Sequence, residues 1–181
     1  MQAIFQQINV QNPKYHLMTT YKIDPVIKTV PAKKLIGIHR TMTLSNDTTF
    51  ELWRSLMPRR KEISNALNPD LISMQLFGKP LSEGSFTTET PFEKWAAIEV
   101  TDFDNIPVGM DSFIVPPGLY ACFAYKGAAN EAQPTIQYIY QEWLPASGYK
   151  PDNRPHITVM GEKYNGNDPD SEEEFRIPIV L

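Results

Sequence analysis

The sequence lacks the features that mark several common classes of protein. Cys122 is the single cysteine among 181 residues, so no internal disulfide can form, and no group of cysteines and histidines has metal-ligand spacing. No apolar run approaches the roughly 20 residues that span a bilayer, and the N-terminus lacks the basic-then-apolar order of a secretory signal. We therefore expect a cytoplasmic protein that binds no metal, no cofactor and no membrane.

An excess of positive charge is also absent. The formal net charge is −4, whereas modules that bind nucleic acid on their own carry a positive surface that displaces phosphate counterions. The one basic run, Arg59-Arg60-Lys61, lies at the expected end of a helix, where cations interact favourably with the helix dipole. The sequence therefore predicts no direct binding of nucleic acid.

What the sequence does contain begins with a group of strands around one helix. β-Branched and apolar runs between turn residues indicate strands at 26–30, 35–42, 71–77 and 95–103. The apolar stripe from Phe50 to Met57 indicates an amphipathic helix that Pro58 should end or kink. Ile63 and Leu67 are expected to lie in a second short helical segment. Residues 78–91 read as a long loop, and residues 1–23 as an N-terminal arm or extra strand.

The same order of elements returns in the second half. Strands are indicated at 110–115, 119–127, 156–162 and 175–179. A second amphipathic helix is indicated by the apolar spacing from Ile136 to Trp143. Pro134 lies near its start, Pro145 limits its end, and Gly148 is available for a left-handed exit.

The two halves also agree in position. Val30-Pro31 recurs as Val115-Pro116 (115 − 30 = 85), Pro58 recurs as Pro145 (145 − 58 = 87), and Ile72 recurs as Ile157 (157 − 72 = 85). These offsets favour an internal duplication of a strand-helix-strand-strand unit. We predict one α+β domain over 24–181, with repeats at about 24–106 and 107–181. A pseudo-two-fold axis should relate the repeats, with a central groove near that axis.

These residues resemble a known family, the GyrI-like small-molecule-binding domain, which is also the effector-binding half of AraC-type and MerR-type transcription regulators. The resemblance covers roughly residues 24–181. It rests on Leu52-Trp53-Arg54 with 57–63, Val115 to Phe123 with Gly127, Trp143-Leu144-Pro145 with Gly148-Tyr149, Arg154-Pro155-His156, and 168–172 with 175–179.

The resemblance implies a central pocket for hydrophobic, often cationic, aromatic compounds. Members fused to a helix-turn-helix segment sense drugs, whereas stand-alone members sequester ligands, inhibit protein partners or hydrolyse reactive natural products. Because residues 1–23 offer no room for a DNA-binding domain, the chain resembles a stand-alone binder. We expect it to capture a small hydrophobic or cationic ligand without turnover, and a protein partner is left open.

One position departs from the family pattern. The pocket glutamate that pairs with cationic ligands in the family aligns with Thr158, which carries no charge. Losing a charge-assisted contact weakens both the cation preference and the hydrolase interpretation. Glu162 lies four residues further on and, if the strand continues, shares the face of Thr158. It either replaces the missing carboxylate in part or is a solvated strand end.

Aromatic and flexible apolar side chains supply the other candidate ligand-binding residues, because flat rings combine contact area with cation–π capacity and methionine adapts its shape. Each could instead belong to the core. With Thr158 and Glu162, the predicted site comprises Trp53, Met74, Trp95, Tyr120, Tyr125, Trp143 and Met160.

Enzymatic alternatives remain, although we assign no catalytic residue. Hydrolysis in the same pocket would need Glu162, or a water held by Thr158, as the activating group. The tetrads that begin at His39 and His156 both fit the H-x-[ST]-apolar pattern of two-histidine phosphoesterases, which need both histidines at one phosphate. The duplication argues against this pairing, since it places Ile72 opposite Ile157.

Overall fold

The computed structural model describes residues 23–78 and 86–181. The predicted arm, apart from Ile23, and the middle of the predicted 78–91 loop lie outside these residues. Within the described part of the chain, no helix has the length and apolar character to cross a membrane.

The described residues form nine strands and two helical regions. The first half contains β1 (Val26–Val30), β2 (Lys33–Met42), α1 (Thr49–Leu56), β3 (Leu71–Leu76) and β4 (Phe92–Val100). The second half contains β5 (Asp111–Val115), β6 (Gly118–Lys126), α2 (Gln133–Tyr138), α3 (Leu144–Ala146), β7 (Lys150–Pro151), β8 (His156–Met160) and β9 (Glu172–Val180). A π turn, Ile139–Trp143, joins α2 to α3. We call residues 133–146 the second helical segment.

The strands form an antiparallel sheet in the order β1-β6-β9-β8-β3-β4-β2-β5, with β7 beside β9. The halves meet at the centre, where β8 lies beside β3. Each half also sends its first strand to the far edge of the other, because β1 pairs with β6 and β5 pairs with β2. The fold is therefore α+β, with the edge strands exchanged between the halves.

The register of the sheet repeats with the 85-residue offset. Val30 pairs with Gly118 and Val115 pairs with Lys33, and the two pairs are related by 115 − 30 = 85 and 118 − 33 = 85. At the centre, Ser73 pairs with Thr158, and 158 − 73 = 85. A residue that pairs with its own equivalent lies next to the symmetry axis, so the pseudo-two-fold axis passes beside this pair.

Both helical regions cover the same face of the sheet, in separate cores. Helix α1 buries Leu52 and Leu56 against strand residues such as Ile98. The second helical segment buries its apolar residues against a core that includes Phe123 and Phe175. Full burial of each such side chain contributes about 1.5–3 kcal/mol. The floor between the two helical regions is formed by β3 and β8, and we call this space the central groove.

Several element boundaries differ from those predicted. Helix α1 ends at Leu56, in agreement with the end or kink predicted at Pro58. A 3-10 turn, Met57–Glu62, then continues the helical region and places the proline in its first turn, where no N–H is required. The helical segment predicted at Ile63 and Leu67 is wrong. Ile63 is extended and buried, while the Leu67 N–H donates to the Glu99 carbonyl in a loop along β4. Strand β4 also begins before Trp95, at Phe92.

The second helical segment ends as the sequence indicates, but its path is irregular. Gly148 has φ of 79°, the left-handed conformation that favours glycine. Within the π turn, the Leu144 N–H donates to the Ile139 carbonyl, five residues back. The wider turn lies directly before Pro145, which has no N–H to donate and crowds the preceding turn of a regular helix. The proline therefore accounts for a widened turn above the central groove.

Candidate functional site

The central groove is nearly closed. Two small cavities of about 20 Å³ and 10 Å³ lie along it, and Thr158 lines both. Each has room for about one water molecule. The first is lined by Gln75, Ile136, Tyr140, His156, Ile157, Thr158, Phe175 and Ile177, and the second by Ser73, Ala129, Ala132, Thr158, Met160, Glu173 and Phe175. A drug-sized ligand therefore requires the groove to widen.

A half-buried carboxylate lies beside Thr158, on the neighbouring strand. Thr158 pairs with Phe175, and Glu173 shares the face of Phe175 because side chains alternate along β9. Burial raises the pKa of Glu173 to about 7, although the Lys94 ammonium acts in the opposite direction. Among the described residues, no ion pair or hydrogen bond engages this carboxylate. Glu173 thus brings to the groove the chemistry that the family pattern has at position 158.

Glu162 does not share the face of Thr158. Strand β8 ends at Met160, and Glu162 is exposed in the turn that follows. The expectation required side chains to alternate along the strand as far as Glu162, but β8 ends two residues before it. Glu162 lines neither cavity.

A hydrogen bond ties the π turn to the floor of the groove. The Tyr140 hydroxyl and His156 Nδ1 are 2.5 Å apart, and both side chains line the first cavity. Burial lowers the pKa of His156 to about 3 and raises that of Tyr140, so both groups are uncharged at neutral pH. The Phe77 ring meets the imidazole edge-on at 5.0 Å. These contacts hold the second helical segment down on β8.

Four predicted aromatic or sulfur-containing residues lie on the helix-covered face. Met160 lines the second cavity. Trp53 packs in the core beneath α1. Tyr125, which pairs with Glu173 across β6 and β9, donates its hydroxyl to the Ala128 carbonyl at 2.9 Å. Trp143 meets the Phe123 ring edge-on at 5.1 Å. Trp53, Tyr125 and Trp143 therefore surround the groove without lining its cavities.

Three other predicted residues face away from the groove. In β4 the helix-covered face takes Ala96 and Ile98, so Trp95 points to the opposite face and stacks on His39 at 4.5 Å. Met74 belongs to the same opposite core as Trp95. Tyr120 is buried on the same face in a separate cluster with Val30 and Cys122, and its hydroxyl donates to the Pro155 carbonyl at 3.2 Å. Their assignment to the pocket is wrong, because strand parity rather than aromatic character decides which face a side chain occupies.

The two histidine tetrads cannot act on one phosphate. His39 lies on the face opposite the helices, stacked on Trp95 and between the carboxylates of Glu93 and Asp111, each at 3.3 Å. His156 lies on the groove face, buried beneath Tyr140. Since the sheet separates the two imidazoles, the phosphoesterase alternative fails. In the described residues, no group of three or more histidine, cysteine or carboxylate side chains could hold a metal ion.

The sequence reasoning missed Lys94 and Glu173, although a signal for both was present. Lys94 alternates with Phe92, Ala96 and Ile98, and Glu173 alternates with Phe175 and the following apolar residues. A charged residue in phase with a strand's apolar face is buried unless the strand ends before it. Lys94 is 2% exposed, and burial lowers its pKa to about 8.

Comparison with known proteins agrees with this geometry. The chain matches the family model for the GyrI-like small molecule binding domain over residues 23–180. The transcriptional regulator BrlR of Pseudomonas aeruginosa is 29% identical over 150 residues, which cover 82% of this chain and 53% of the regulator. The chain thus spans about half the length of this relative.

Two solved structures share the fold. SAV2435, determined bound to tetraphenylphosphonium, superposes with a TM-score of 0.68 at 11% identity over 87% of this chain and 94% of that protein. A hydrolase encoded by lin2189 from Listeria innocua superposes with a TM-score of 0.55 at 14% identity over 88% of this chain and 94% of the hydrolase. With its family model matched over nearly all of its length, the chain belongs to the GyrI-like small molecule binding domain family.

Proposed function

We propose that this protein captures an apolar or amphipathic small molecule, including cationic aromatic compounds, in the central groove and releases it unchanged. The observation that carries this proposal is the Glu173 carboxylate, half-buried beside Thr158 and without an ionic partner in the described residues. Burying an unpaired charge is costly, and a cationic ligand that pairs with it recovers that cost. Binding of such a ligand therefore favours the ionised form of Glu173.

The walls of the groove suit a flat apolar ligand. Phe175 lines both cavities, and Tyr140 and His156 lie above and below the first. Aromatic faces attract cations as well as apolar groups. The tetraphenylphosphonium bound to SAV2435, which has the same fold, supports an aromatic cation as a ligand type.

The similarity to BrlR supports a role in sensing. In this proposal the bound molecule changes the position of the second helical segment, and that change is the signal which the rest of a regulator, or a protein partner, receives. The Tyr140–His156 hydrogen bond is the contact that must yield, because it closes the first cavity from above.

A second candidate is hydrolysis of a reactive small molecule in the same groove. It is favoured by the pKa of Glu173, which burial raises to about 7. A carboxylate that titrates near neutrality serves as a general base or acid at working pH. The Listeria innocua hydrolase with this fold supports the same possibility. Turnover that survives in Glu173→Gln would remove Glu173 from that role.

Isothermal titration with tetraphenylphosphonium at pH 8 tests the binding proposal. We expect saturable one-to-one binding that Glu173→Gln weakens about tenfold, since a charge-assisted contact becomes a neutral one. Glu162→Gln is the matched control, because it removes an exposed carboxylate two residues beyond the end of β8. Absence of saturable binding, or equal loss in both variants, would overturn the proposal.

A further inference from the structure

Lys94 and Glu173 occupy equivalent positions in the two halves. Ser73 pairs with Ala96, and its equivalent Thr158 pairs with Phe175. Lys94 precedes Ala96 by two residues, just as Glu173 precedes Phe175 by two. The duplication therefore places a buried ammonium group and a half-buried carboxylate at equivalent positions on the groove face, near enough for each charge to shift the pKa of the other.

The second cavity has an equivalent corner in the first half. Its lining residues Met160 and Glu173 correspond to Gln75 (160 − 85 = 75) and Lys94. Gln75 pairs with Lys94 across β3 and β4 and also lines the first cavity. The space around Lys94 and Gln75 is thus continuous with the groove. It contains the Lys94 ammonium group and the Gln75 side-chain amide on neighbouring strands.

The Lys94 ammonium has no partner of its own in the described part of the chain. No ion pair or hydrogen bond engages it there, although the residue is 2% exposed. Asp47 and Glu173 raise its pKa without contacting it, while burial lowers it to about 8. Asp47 is occupied as an acceptor for the Thr49 N–H at 2.8 Å. A buried ammonium in this state is stabilised by an anion that brings its own charge.

We propose that Lys94, with Gln75 beside it, forms an oxyanion subsite at the first-half end of the groove. This inference rests on the proposed binding function and specifies the class of ligand. The ligand has an apolar body that carries a carboxylate, sulfonate or phosphate group. A cationic group on the same ligand pairs with Glu173 at the equivalent position of the second half, so a ligand can use one of the two charged groups or both.

A matched pair of fluorescent dyes tests the subsite. The probes are 8-anilinonaphthalene-1-sulfonate and its uncharged analogue N-phenyl-1-naphthylamine, which differ by the sulfonate. We expect the anionic dye to bind about tenfold more tightly at pH 7, with one-to-one stoichiometry. Lys94→Met should remove this preference and leave the affinity for the uncharged dye unchanged, while Lys94→Arg should retain most of it. Lys163→Met is the control, because it removes an ammonium whose side chain is 73% exposed.

The outcomes separate the two proposals. If neither dye nor tetraphenylphosphonium binds the wild-type protein, the groove is not a binding site and both proposals fall. If both dyes bind equally, or Lys94→Met and Lys163→Met lower the preference alike, only the oxyanion subsite is overturned. Lys94→Gln gives a second route should Lys94→Met fail to fold, since it removes the charge and keeps a polar side chain.

Discussion

The two halves share one strand order and one register, yet they face the groove with different chemistry. The first half places small side chains, Ser73 and Ala96, at the axis and covers them with a regular helix. The second half places Thr158 and Phe175 at the equivalent positions, beneath a segment widened by a π turn. Both cavities lie mostly in the second half, where a single residue of the first half lines each. The two halves therefore share one framework, and the second half supplies most of the lining of the two cavities.

The largest expected effect is a loss of stability at Gly37, where the backbones of β2 and β4 are closely packed. A Cβ at Gly37 would lie 2.2 Å from the Ala96 carbonyl oxygen and 2.7 Å from the Ala97 Cα. Its equivalent in the second half is Cys122 (122 − 37 = 85), where a side chain fits and is 2% exposed. Gly37→Ala should lower the free energy of unfolding by about 3 kcal/mol, because the β2–β4 backbone must shift. Cys122→Ala should cost about 1 kcal/mol.

Urea denaturation of both variants measures this difference. Equal losses would mean that the two halves have the same backbone spacing at this position, contrary to the structure. Dye binding measured below the unfolding transition should survive in Gly37→Ala, because the substitution lies outside both cavities.

The next prediction concerns how stability depends on pH, because the Glu173 and Lys94 side chains titrate in different pH ranges. Glu173 has a folded-state pKa raised to about 7 from 4.5, so it contributes stability below pH 4.5 that is lost as the pH rises through 7. Glu173→Gln removes this dependence. Between pH 5 and pH 8, the free energy of unfolding of the variant should rise by about 2 kcal/mol relative to that of wild type. This figure is reduced for the partial exposure of the carboxylate. Denaturation at several pH values gives the difference directly.

Lys94 should give the opposite dependence of stability on pH. Its folded-state pKa is lowered to about 8 from 10.5, so its contribution is unfavourable at pH 7 and disappears as the pH rises through 8 to 10.5. Lys94→Met should therefore be stabilising at pH 7 and near neutral above pH 10. His156, with a pKa lowered to about 3, adds a loss of stability below pH 6.5 that both variants retain. A wild-type-like pH dependence in Glu173→Gln would exclude its burial as the cause.

The contact that closes the groove gives a smaller effect. Tyr140→Phe removes the hydroxyl that meets His156 Nδ1 at 2.5 Å and leaves the buried imidazole nitrogen without that partner. We expect a loss of about 1–2 kcal/mol in the free energy of unfolding. The control is Ser55, whose hydroxyl donates to the Glu51 carbonyl on an exposed surface of α1, so Ser55→Ala should change stability by less than about 0.5 kcal/mol. Thermal unfolding of both variants at pH 7.5 makes the comparison, and equal effects would contradict the role of this bond.

The order of elements could be predicted from the sequence, whereas the composition of the groove could not. The offset of 85 residues and the family motifs required no knowledge of side-chain direction. Assigning Trp95 or Tyr120 to a pocket did require it, and aromatic character carries no information about which face of a strand is covered. Glu173 was accessible from the alternation along β9. The end of β8 at Met160 was accessible too, because Gly161 and Glu162 follow it directly and both residue types are depleted in strands.

The smallest expected effect comes from the axis itself, where the two halves differ by one methyl group. Thr158→Ser makes the central pair symmetric and removes a methyl beside both cavities, whereas Ser73→Thr adds one beside the second. Each should change stability by about 1 kcal/mol or less. Because the groove must widen to admit a ligand, Thr158→Ser should raise the affinity for tetraphenylphosphonium a few-fold and Ser73→Thr should lower it. Changes of the same sign in the two variants would place the ligand away from the axis.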